Sequence, residues 1–276
     1  MAKIKRVLVT GSSGRAGRTV AAELAANGFS VLGLDVQEYP GSSWEFVSGD
    51  IRDLVDLRAK IQGVQAVCHT AAIPKDTGEA EKIFDLNMKG TFNVLEAARS
   101  SGVRRVVFAS SVVVYGISGK GPLPRHLPID EDHPCLPATT YAATKLMGEM
   151  LCRSYTLRHG MATVCLRLGN FTLREKVFSV KNDRGELWTN LLGAKLVSED
   201  LAQAFRLGVE SDIEHGVYNI TTRYRYTKEG EVDRGEAVAR AAAELGIARV
   251  SPEVIEGASS FSTGKAEREL GYSPSC

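Results

Sequence analysis

Residues 4–18 read Ile4-Lys5-Arg6-Val7-Leu8-Val9-Thr10-Gly11-Ser12-Ser13-Gly14-Arg15-Ala16-Gly17-Arg18, a β-rich apolar run followed by three glycines. A helical pattern follows these glycines and continues to Ala26. The order strand, glycine turn, helix is typical of dinucleotide-binding loops, because glycines let backbone N–H groups approach a pyrophosphate at the helix N-terminus. Gly11, Gly14 and Gly17 are therefore predicted to contact a cofactor phosphate.

An acidic residue follows the next predicted strand. The apolar run from Ser30 to Leu34 ends in Asp35, 18 residues after Gly17. A carboxylate at this place accepts hydrogen bonds from the ribose hydroxyls of NAD and repels the 2′-phosphate of NADP. Arg15 and Arg18 would favour NADP if they faced that phosphate, but arginines on a first helical turn are more often solvated. The sequence therefore predicts NAD as the cofactor.

Strand and helix patterns alternate along the rest of the chain. Strands are predicted at 5–10, 30–35, 45–49, 65–70, 104–110, 162–168 and 216–220, and helices at 15–27, 53–61, 79–101, 140–158, 198–209, 234–245 and 262–270. This alternation predicts an α/β fold, a doubly wound parallel sheet (Rossmann fold). We expect an NAD-binding domain over residues 1–168. Residues 169–276 would form a small substrate lobe, including the irregular stretch 171–196, interleaved with the last strands and helices of the sheet.

Composition sets limits on partners and location. The chain has 276 residues, 43% apolar content and a net charge of +1, so it can form a sizeable core and carries no charge excess that would favour nucleic acid or an anionic membrane. Its apolar runs are all shorter than the roughly 18 residues of a membrane span, and its N-terminus lacks a signal-peptide pattern. The five scattered cysteines suit a reducing cytosol, so a cytoplasmic location is expected.

Tyr141 and Lys145 stand four residues apart in a predicted helix and therefore share one face. A free phenol titrates at about pH 10, and a neighbouring ammonium group favours the phenolate. The pair therefore predicts a tyrosine that acts as a general acid or base. Ser111 follows the strand predicted at 104–110, where its hydroxyl can orient a substrate oxygen beside the tyrosine.

The long loop at 116–138 also follows that strand, at the sheet edge where ligands bind. It contains His126, His133 and Cys135. Their spacing fits no common metal-ligand pattern, so no metal site is predicted.

These motifs together resemble the short-chain dehydrogenase/reductase superfamily, and within it the NAD-dependent epimerase/dehydratase family. The resemblance extends over nearly the whole chain. The segments that carry it are Thr10–Gly17, Asp50-Ile51, His69-Thr70-Ala71-Ala72, Asn87, Leu127–Pro137, Tyr141 with Lys145 and Glu149, Arg167-Leu168-Gly169-Asn170, Val217–Ile220 and Lys265–Tyr272.

The resemblance implies residue roles. Tyr141 would exchange a proton with the substrate oxygen while hydride moves to or from the nicotinamide. Lys145 would lower the pKa of the tyrosine and bind the nicotinamide ribose, Ser111 would orient the reacting oxygen, and Asn87 would hold a water that links Lys145 to solvent. The implied NAD site comprises Gly11, Ser13, Gly14, Arg15, Ala16, Gly17, Asp35, Asp50, Ile51, Thr70, Ala71, Ala72, Asn87, Tyr141, Lys145 and Leu168, and the implied substrate contacts are Ile73, Ser111, Tyr141 and Asn170.

The chain departs from the family pattern at two places. Val112 and Val113 stand where the family's sugar dehydratases carry Asp-Glu and its uronate and aldose dehydrogenases usually carry Asn-His. Only 30 residues separate Asn170 from Asp200, a span in which nucleotide-sugar epimerases usually have a long lobe. We therefore expect an NAD-dependent oxidoreductase that acts on a hydroxyl or carbonyl of a small sugar or sugar acid.

Two alternatives stay open at this point: an NAD-dependent nucleotide-sugar 4-epimerase, and a non-catalytic dinucleotide-sensing protein. The resemblance also implies a homodimer, since the family often joins two helices of each subunit in a four-helix contact. Those helices carry apolar residues at helical spacing, for which core packing is the other explanation: Phe84, Met88, Phe92, Leu95, Leu146, Met150 and Leu151.

Overall fold

The computed structural model describes residues 3–117, 122–172, 194–222, 242–243, 246–247, 249–255 and 260–275. Its strands are β1 Arg6–Thr10, β2 Ser30–Asp35, β3 Glu45–Ser48, β4 Ala66–His69, β5 Arg105–Ser111, β6 Ala162–Leu168, β7 Asn170–Phe171, β8 Lys195–Leu196 and β9 His215–Ile220. Its α-helices are α1 Arg15–Ala26, α2 Leu54–Lys60, α3 Ala80–Phe84, α4 Gly90–Ser100, α5 Thr140–His159, α6 Ser198–Glu210, α7 Pro252–Ile255 and α8 Gly264–Leu270.

Seven of the strands form one parallel sheet in the order β3-β2-β1-β4-β5-β6-β9. The chain winds in opposite directions from β1 and from β4, so a crevice opens between the carboxyl ends of these two strands. Doubly wound proteins bind their ligands in such a crevice. The predicted fold class, a doubly wound parallel sheet, is confirmed.

Helices cover both faces of the sheet, because successive side chains of a strand point to opposite faces. In β5, Val107 and Ala109 belong to the apolar core under α1 and α6, whereas Val106 and Phe108 belong to the core under α2, α4 and α5. All seven residues of β5 are buried. This burial explains why the central strands read as continuous apolar runs in the sequence.

The helix predicted at 79–101 is interrupted by a π-helical turn, Asp85–Lys89, between α3 and α4. A π turn holds one residue more than an α turn and often lies at a functional site. The apolar periodicity of this segment did not reveal it. Asn87 lies at the middle of the turn and is buried.

The C-terminal part of the chain returns to the main sheet. β9 pairs with β6 at the edge, while β7 and β8 form a separate two-stranded pair. The loop after β5 forms bridges with this part, from Leu127 to Val250 and from Ile129 to Phe261. Most of the predicted helix at 234–245 and residues 173–193 lie outside the described part of the chain. In the described part, none of the helices has the length and apolar content to cross a membrane.

Candidate active site

The glycine loop makes the tight turn that the sequence predicts. Gly11 has a φ of 72°, and its N–H donates to Leu34 O at 2.8 Å. A Cβ on Gly11 would lie 2.7 Å from Ala71 Cα, and a Cβ on Gly17 would lie 2.0 Å from Gly11 O. Only glycine permits these contacts, which bring α1 directly against the ends of β1 and β4.

The N-terminus of α1 fits the pyrophosphate of a dinucleotide. Gly14 is its N-cap, with no side-chain cap hydrogen bond and no acidic residue in the first turn. A Cβ on Gly14 would meet only Gly11 O, at 3.2 Å, among the described residues. The first backbone N–H groups of this 12-residue helix have no acceptor within the helix, and the helix dipole favours an anion there.

Asp35 ends β2 beside this loop. One carboxylate oxygen accepts from Ser13 N–H at 3.0 Å and the other from Val36 N–H at 2.7 Å. These bonds fix the carboxylate, and each oxygen has a lone pair left for a ribose hydroxyl. Arg18, one of the two arginines considered for NADP, lies over an aromatic ring: its Cζ atom is 4.2 Å from the ring centroid of Tyr39.

The predicted adenine contacts, Asp50 and Ile51, lie between β3 and α2. Arg52 donates to the Asp50 carboxylate from Nε at 3.0 Å and from Nη2 at 2.6 Å, and these bonds lower the pKa of Asp50. Ile51 is buried, and its carbonyl accepts from Asn93 Nδ2 at 3.0 Å. The pair is thus held rigidly at the carboxyl edge of the sheet.

Residues 70–73 connect β1 with the π turn. The N–H and Oγ1 of Thr70 both donate to Thr10 O, at 3.2 and 2.7 Å. At the other end, Asn87 Oδ1 accepts from Ile73 N–H at 2.8 Å, and Asn87 Nδ2 donates to Ile73 O at 3.1 Å. The side chain of Asn87 therefore clamps a backbone segment, and its predicted water-holding role stays a prediction.

Ser111, Tyr141 and Lys145 converge at the carboxyl end of β5. Ser111 is the last residue of that strand, and its hydroxyl, which donates to Leu168 O at 3.5 Å, lies close enough to Tyr141 in α5 to affect its pKa. Lys145 is buried one turn further along α5, with Nζ 5.7 Å from the ring centroid of Tyr141 and 5.1 Å from that of Phe108. The structure thus brings together the three residues that the sequence predicts to carry the chemistry.

Burial shifts the pKa values of both Tyr141 and Lys145. Burial raises the pKa of Tyr141, and the neighbouring Ser111 hydroxyl opposes this shift. Burial lowers the pKa of Lys145 to about 8. Removal from water disfavours phenolate and ammonium alike. The lowering of the tyrosine pKa by Lys145 stays a prediction.

Lys145→Met is expected to stabilise the fold at neutral pH. The shift from 10.5 to about 8 corresponds to a penalty of about 3 kcal/mol on the charged form. The penalty is complete below pH 8 and vanishes as pH rises toward 10.5, because the unfolded chain then binds more protons than the native one. Urea unfolding at both ends of this pH range should show that Lys145→Met raises the free energy of unfolding, and that the increase is largest at the lower pH. If the free energy of unfolding did not increase at the lower pH, a buried charge on Lys145 would be contradicted.

A polar network that the sequence analysis missed lies behind Ser111. Arg167 in β6 forms a two-pronged ion pair with Glu149 in α5, at 2.9 and 2.8 Å, and each side chain is only 6% exposed. Ser110 Oγ donates to the same carboxylate at 2.5 Å. The ion pair therefore connects β6 with the helix that carries Tyr141 and with the strand that carries Ser111.

The network continues into the loop after β5. Arg167 Nη1 donates to Tyr115 Oη at 2.9 Å, and Tyr115 Oη donates to Asn219 Oδ1 at 2.7 Å. Asn219 Nδ2 in turn donates to Ile129 O at 3.1 Å. The members are far apart in the sequence; the available signal was an arginine in the mostly apolar strand β6.

Other residues named in the sequence analysis make hydrogen bonds or strand pairs within the protein. Leu168 pairs with Ser111 across β6 and β5, and Asn170 is exposed, with its N–H donating to Ala194 O at 2.6 Å. His133 uses both ring nitrogens, accepting from Arg125 N–H at 2.9 Å and donating to Pro134 O at 3.1 Å. Among the described residues, no group of three or more histidines, cysteines or acids is placed to hold a metal ion.

Comparison with known proteins relates this geometry to one family. Residues 7–192 match the model of the NAD dependent epimerase/dehydratase family. An L-arabinose 1-dehydrogenase (NAD(P)(+)) of Haloferax volcanii is 30% identical over 216 residues, which is 75% of this chain and 84% of that protein. A putative UDP-glucose 4-epimerase of Methanocaldococcus jannaschii is 33% identical over 174 residues, 59% of this chain and 55% of that protein.

A solved structure is similar over nearly its whole length. It is a short-chain dehydrogenase/reductase superfamily protein from Agrobacterium tumefaciens with bound NAD. The TM-score is 0.73 at 25% identity, covering 98% of this chain and 93% of that one. The matches to several curated UDP-glucose 4-epimerases span about half the length of those proteins, whereas that of Corynebacterium glutamicum is 27% identical over 98% of this chain and 91% of that protein.

Proposed function

Because this chain belongs to the NAD-dependent epimerase/dehydratase family, we propose that it is an oxidoreductase that transfers hydride between NAD and a hydroxyl or carbonyl of a small sugar or sugar acid. The observation that carries the proposal is the convergence of Ser111, Tyr141 and Lys145 at the carboxyl end of β5. The glycine loop and Asp35 lie at the same edge of the sheet and fit the phosphates and ribose of NAD.

The side chains at this edge divide the work of moving a proton. Bound NAD takes up or supplies the hydride. The Ser111 hydroxyl orients the reacting oxygen next to the Tyr141 hydroxyl, which takes the proton of an alcohol or returns one to a carbonyl. The raised pKa of Tyr141 keeps the phenol protonated at neutral pH, as reduction requires. In oxidation the Tyr141 hydroxyl would pass its own proton to the neutral amine of Lys145 as it takes the alcohol proton. Burial brings the pKa of Lys145 to about 8, so this neutral amine forms just above neutral pH.

A 4-epimerase is the second candidate, supported by the similarity to the putative UDP-glucose 4-epimerase. It would use the same serine, tyrosine and lysine and return the hydride to its own substrate. The short span between Asn170 and Asp200 favours the smaller substrate, because a nucleotide diphosphate needs additional contacts. A dinucleotide sensor has no need for these proton-handling side chains.

Nicotinamide absorbance distinguishes the candidates. Purified protein and NAD are mixed with free aldoses and uronic acids, and then with UDP-sugars. An absorbance rise with a free sugar supports the dehydrogenase. Interconversion of UDP-sugar epimers without any rise moves the assignment to the epimerase, and NAD binding without either reaction favours the sensor.

Asp35→Ala is expected to weaken NAD binding more than NADP binding. NAD loses its ribose acceptor, which costs roughly tenfold in Kd, whereas for NADP the lost repulsion offsets the loss. Asp35→Asn is the matched control, since it removes the charge and retains an oxygen for Ser13 or Val36 N–H. Fluorescence titration of the parent and both variants with both cofactors measures six Kd values; equal losses for NAD and NADP in Asp35→Ala would contradict the specificity argument.

A homodimer is part of the proposal, supported by apolar side chains exposed on neighbouring helices. Leu95, one of the residues considered for a dimer contact, is buried in the core, but Phe92 on α4 is 43% exposed and Met150 on α5 is 66% exposed. We expect Met150→Glu to convert a dimer into monomers in sedimentation velocity. Val55→Glu is the control, because Val55 is 78% exposed on α2; a monomeric parent protein would contradict the proposal.

A cytoplasmic location completes the proposal. Cys68, Cys135, Cys152 and Cys165 are free thiols, as suits a reducing compartment. The near-zero net charge supports a small-molecule partner over nucleic acid or an anionic membrane surface.

A further inference from the structure

His69 is a buried histidine to which the proposed chemistry gives no role. It ends β4, in register with Thr10 of β1 and Phe108 of β5, and is 2% exposed. Its ring centroid lies 5.7 Å from that of Phe108, the ring that also lies 5.1 Å from Lys145 Nζ. The imidazole is thus enclosed at the carboxyl edge of the sheet, close to the residues of the site.

The hydrogen bonds around His69 have a fixed direction. Thr91 Oγ1 donates its single proton to Asn87 O at 2.5 Å, so it must accept from His69 Nε2 at 3.0 Å. Nε2 is therefore protonated. In the neutral ring Nδ1 is then an acceptor, and Thr10 Oγ1 donates to it at 2.7 Å. Thr10 Oγ1 in turn accepts from Ala71 N–H at 3.5 Å.

The imidazole is held neutral. Burial and the nearby Lys145 charge lower the pKa of His69 to about 3. A second ring proton, placed on Nδ1, would also point at the Thr10 hydroxyl, which already donates to that nitrogen. The ring therefore keeps one tautomer, with an acceptor toward Thr10 and a donor toward Thr91.

The two ends of this series of hydrogen bonds, Thr10 and Thr91, lie at different parts of the site. Thr10 precedes Gly11, against which Ala71 packs. Thr91 is hydrogen-bonded to the carbonyl of Asn87, whose amide clamps Ile73. We propose that His69 is a positioning residue that sets the glycine loop through Thr10 and the π turn of Asn87 through Thr91. This rests on the proposed function only in that the loop is taken to bind NAD.

Two near-isosteric variants separate the two ends. In His69→Asn the side-chain oxygen replaces Nδ1 and retains the bond with Thr10. In His69→Gln the side-chain amide replaces Nε2 and retains the bond with Thr91. His159→Gln is the control, because His159 is exposed at the end of α5.

Calorimetric titration with NAD reads the Thr10 end. Leaving the Thr10 hydroxyl without its acceptor costs roughly tenfold in affinity. The Kd of H69Q for NAD is therefore expected to be at least about fivefold higher than that of H69N. Hydrogen exchange of the Ile73 N–H reads the Asn87 end and should show the reverse order, with faster exchange in H69N. Equal effects of both variants on both readouts would mean that His69 only fills space, and would overturn the proposal.

A third readout needs neither cofactor nor substrate. In the ¹⁵N spectrum of the imidazoles, the signal lost in both variants should be that of a neutral Nε2–H ring that does not titrate between about pH 5 and 8. A titrating ring or the other tautomer would overturn the proposal. Failure of the parent protein to bind NAD would instead count against the proposed function, and the exchange and ¹⁵N results would still decide the role of His69.

Discussion

Replacement of Tyr141 by phenylalanine is expected to lower kcat by roughly 10²- to 10⁴-fold. The variant lacks the hydroxyl that exchanges a proton with the substrate oxygen, and neither of the other two groups replaces it. Ser111 is an alcohol of much higher pKa, and Lys145, with Nζ 5.7 Å from the Tyr141 ring centroid, would exchange a proton with the substrate only through the tyrosine hydroxyl. The Kd for NAD should stay within about twofold, because the phosphate and ribose contacts proposed here come from the glycine loop and Asp35.

Tyr155→Phe is the matched control for this experiment. Tyr155 lies on the same helix, and its hydroxyl donates to Glu96 Oε2 at 3.0 Å. The control removes the same atom from the same helix and should leave turnover unchanged. Single-turnover kinetics and NAD titration of both variants measure the difference. If Y141F retained more than a tenth of the parent rate, the catalytic assignment of Tyr141 would fail.

Arg167→Met is expected to lower the free energy of unfolding by about 3–5 kcal/mol, since it leaves the buried Glu149 carboxylate without its partner. The residual bond from Ser110 does not neutralise that charge. The Glu149→Met/Arg167→Met double variant removes both charges and should recover most of the loss. Chemical unfolding of the two single variants and the double variant gives the coupling energy.

Arg206→Met provides the exposed counterpart. Arg206 pairs with Glu23 at 2.8 Å, but the two side chains are 24% and 27% exposed, and pairs in contact with solvent contribute about 0–1 kcal/mol. If the Arg167 variant were no less stable than the Arg206 variant, the buried ion pair would contribute no more to the free energy of unfolding than the exposed one. Because Arg167 also holds Tyr115 and the loop through Ile129, a higher KM is expected in R167M at temperatures where it stays folded.

The sheet and the glycine loop could be predicted because their signals are local. The apolar runs of the central strands, the glycine spacing and the Asp35 carboxylate each lie within one short segment, and each has one physical explanation. The sequence also places Tyr141 and Lys145 on one helix face, which the structure shows. These features depend on neighbours in the chain.

The features that were missed depend on neighbours in space. Arg167, Glu149, Tyr115 and Asn219 meet only after four different elements have packed together. The direction of the Tyr141 pKa depends on how deeply α5 is buried, which spacing does not reveal. The π turn at Asp85–Lys89 requires one extra residue in a turn, which leaves the apolar pattern of the helix nearly unchanged.

The position of β9 at the sheet edge has a consequence for the newly made chain. β6 is complete at Leu168, but its partner begins only at His215, so residues 169–214 must leave the ribosome in between. During that interval the apolar run Val164-Cys165-Leu166 lies on an edge strand with unpaired N–H and C=O groups. Such an edge is a template for pairing between chains. A polypeptide that terminates within this interval would therefore aggregate, and β9 protects the sheet as well as completing it.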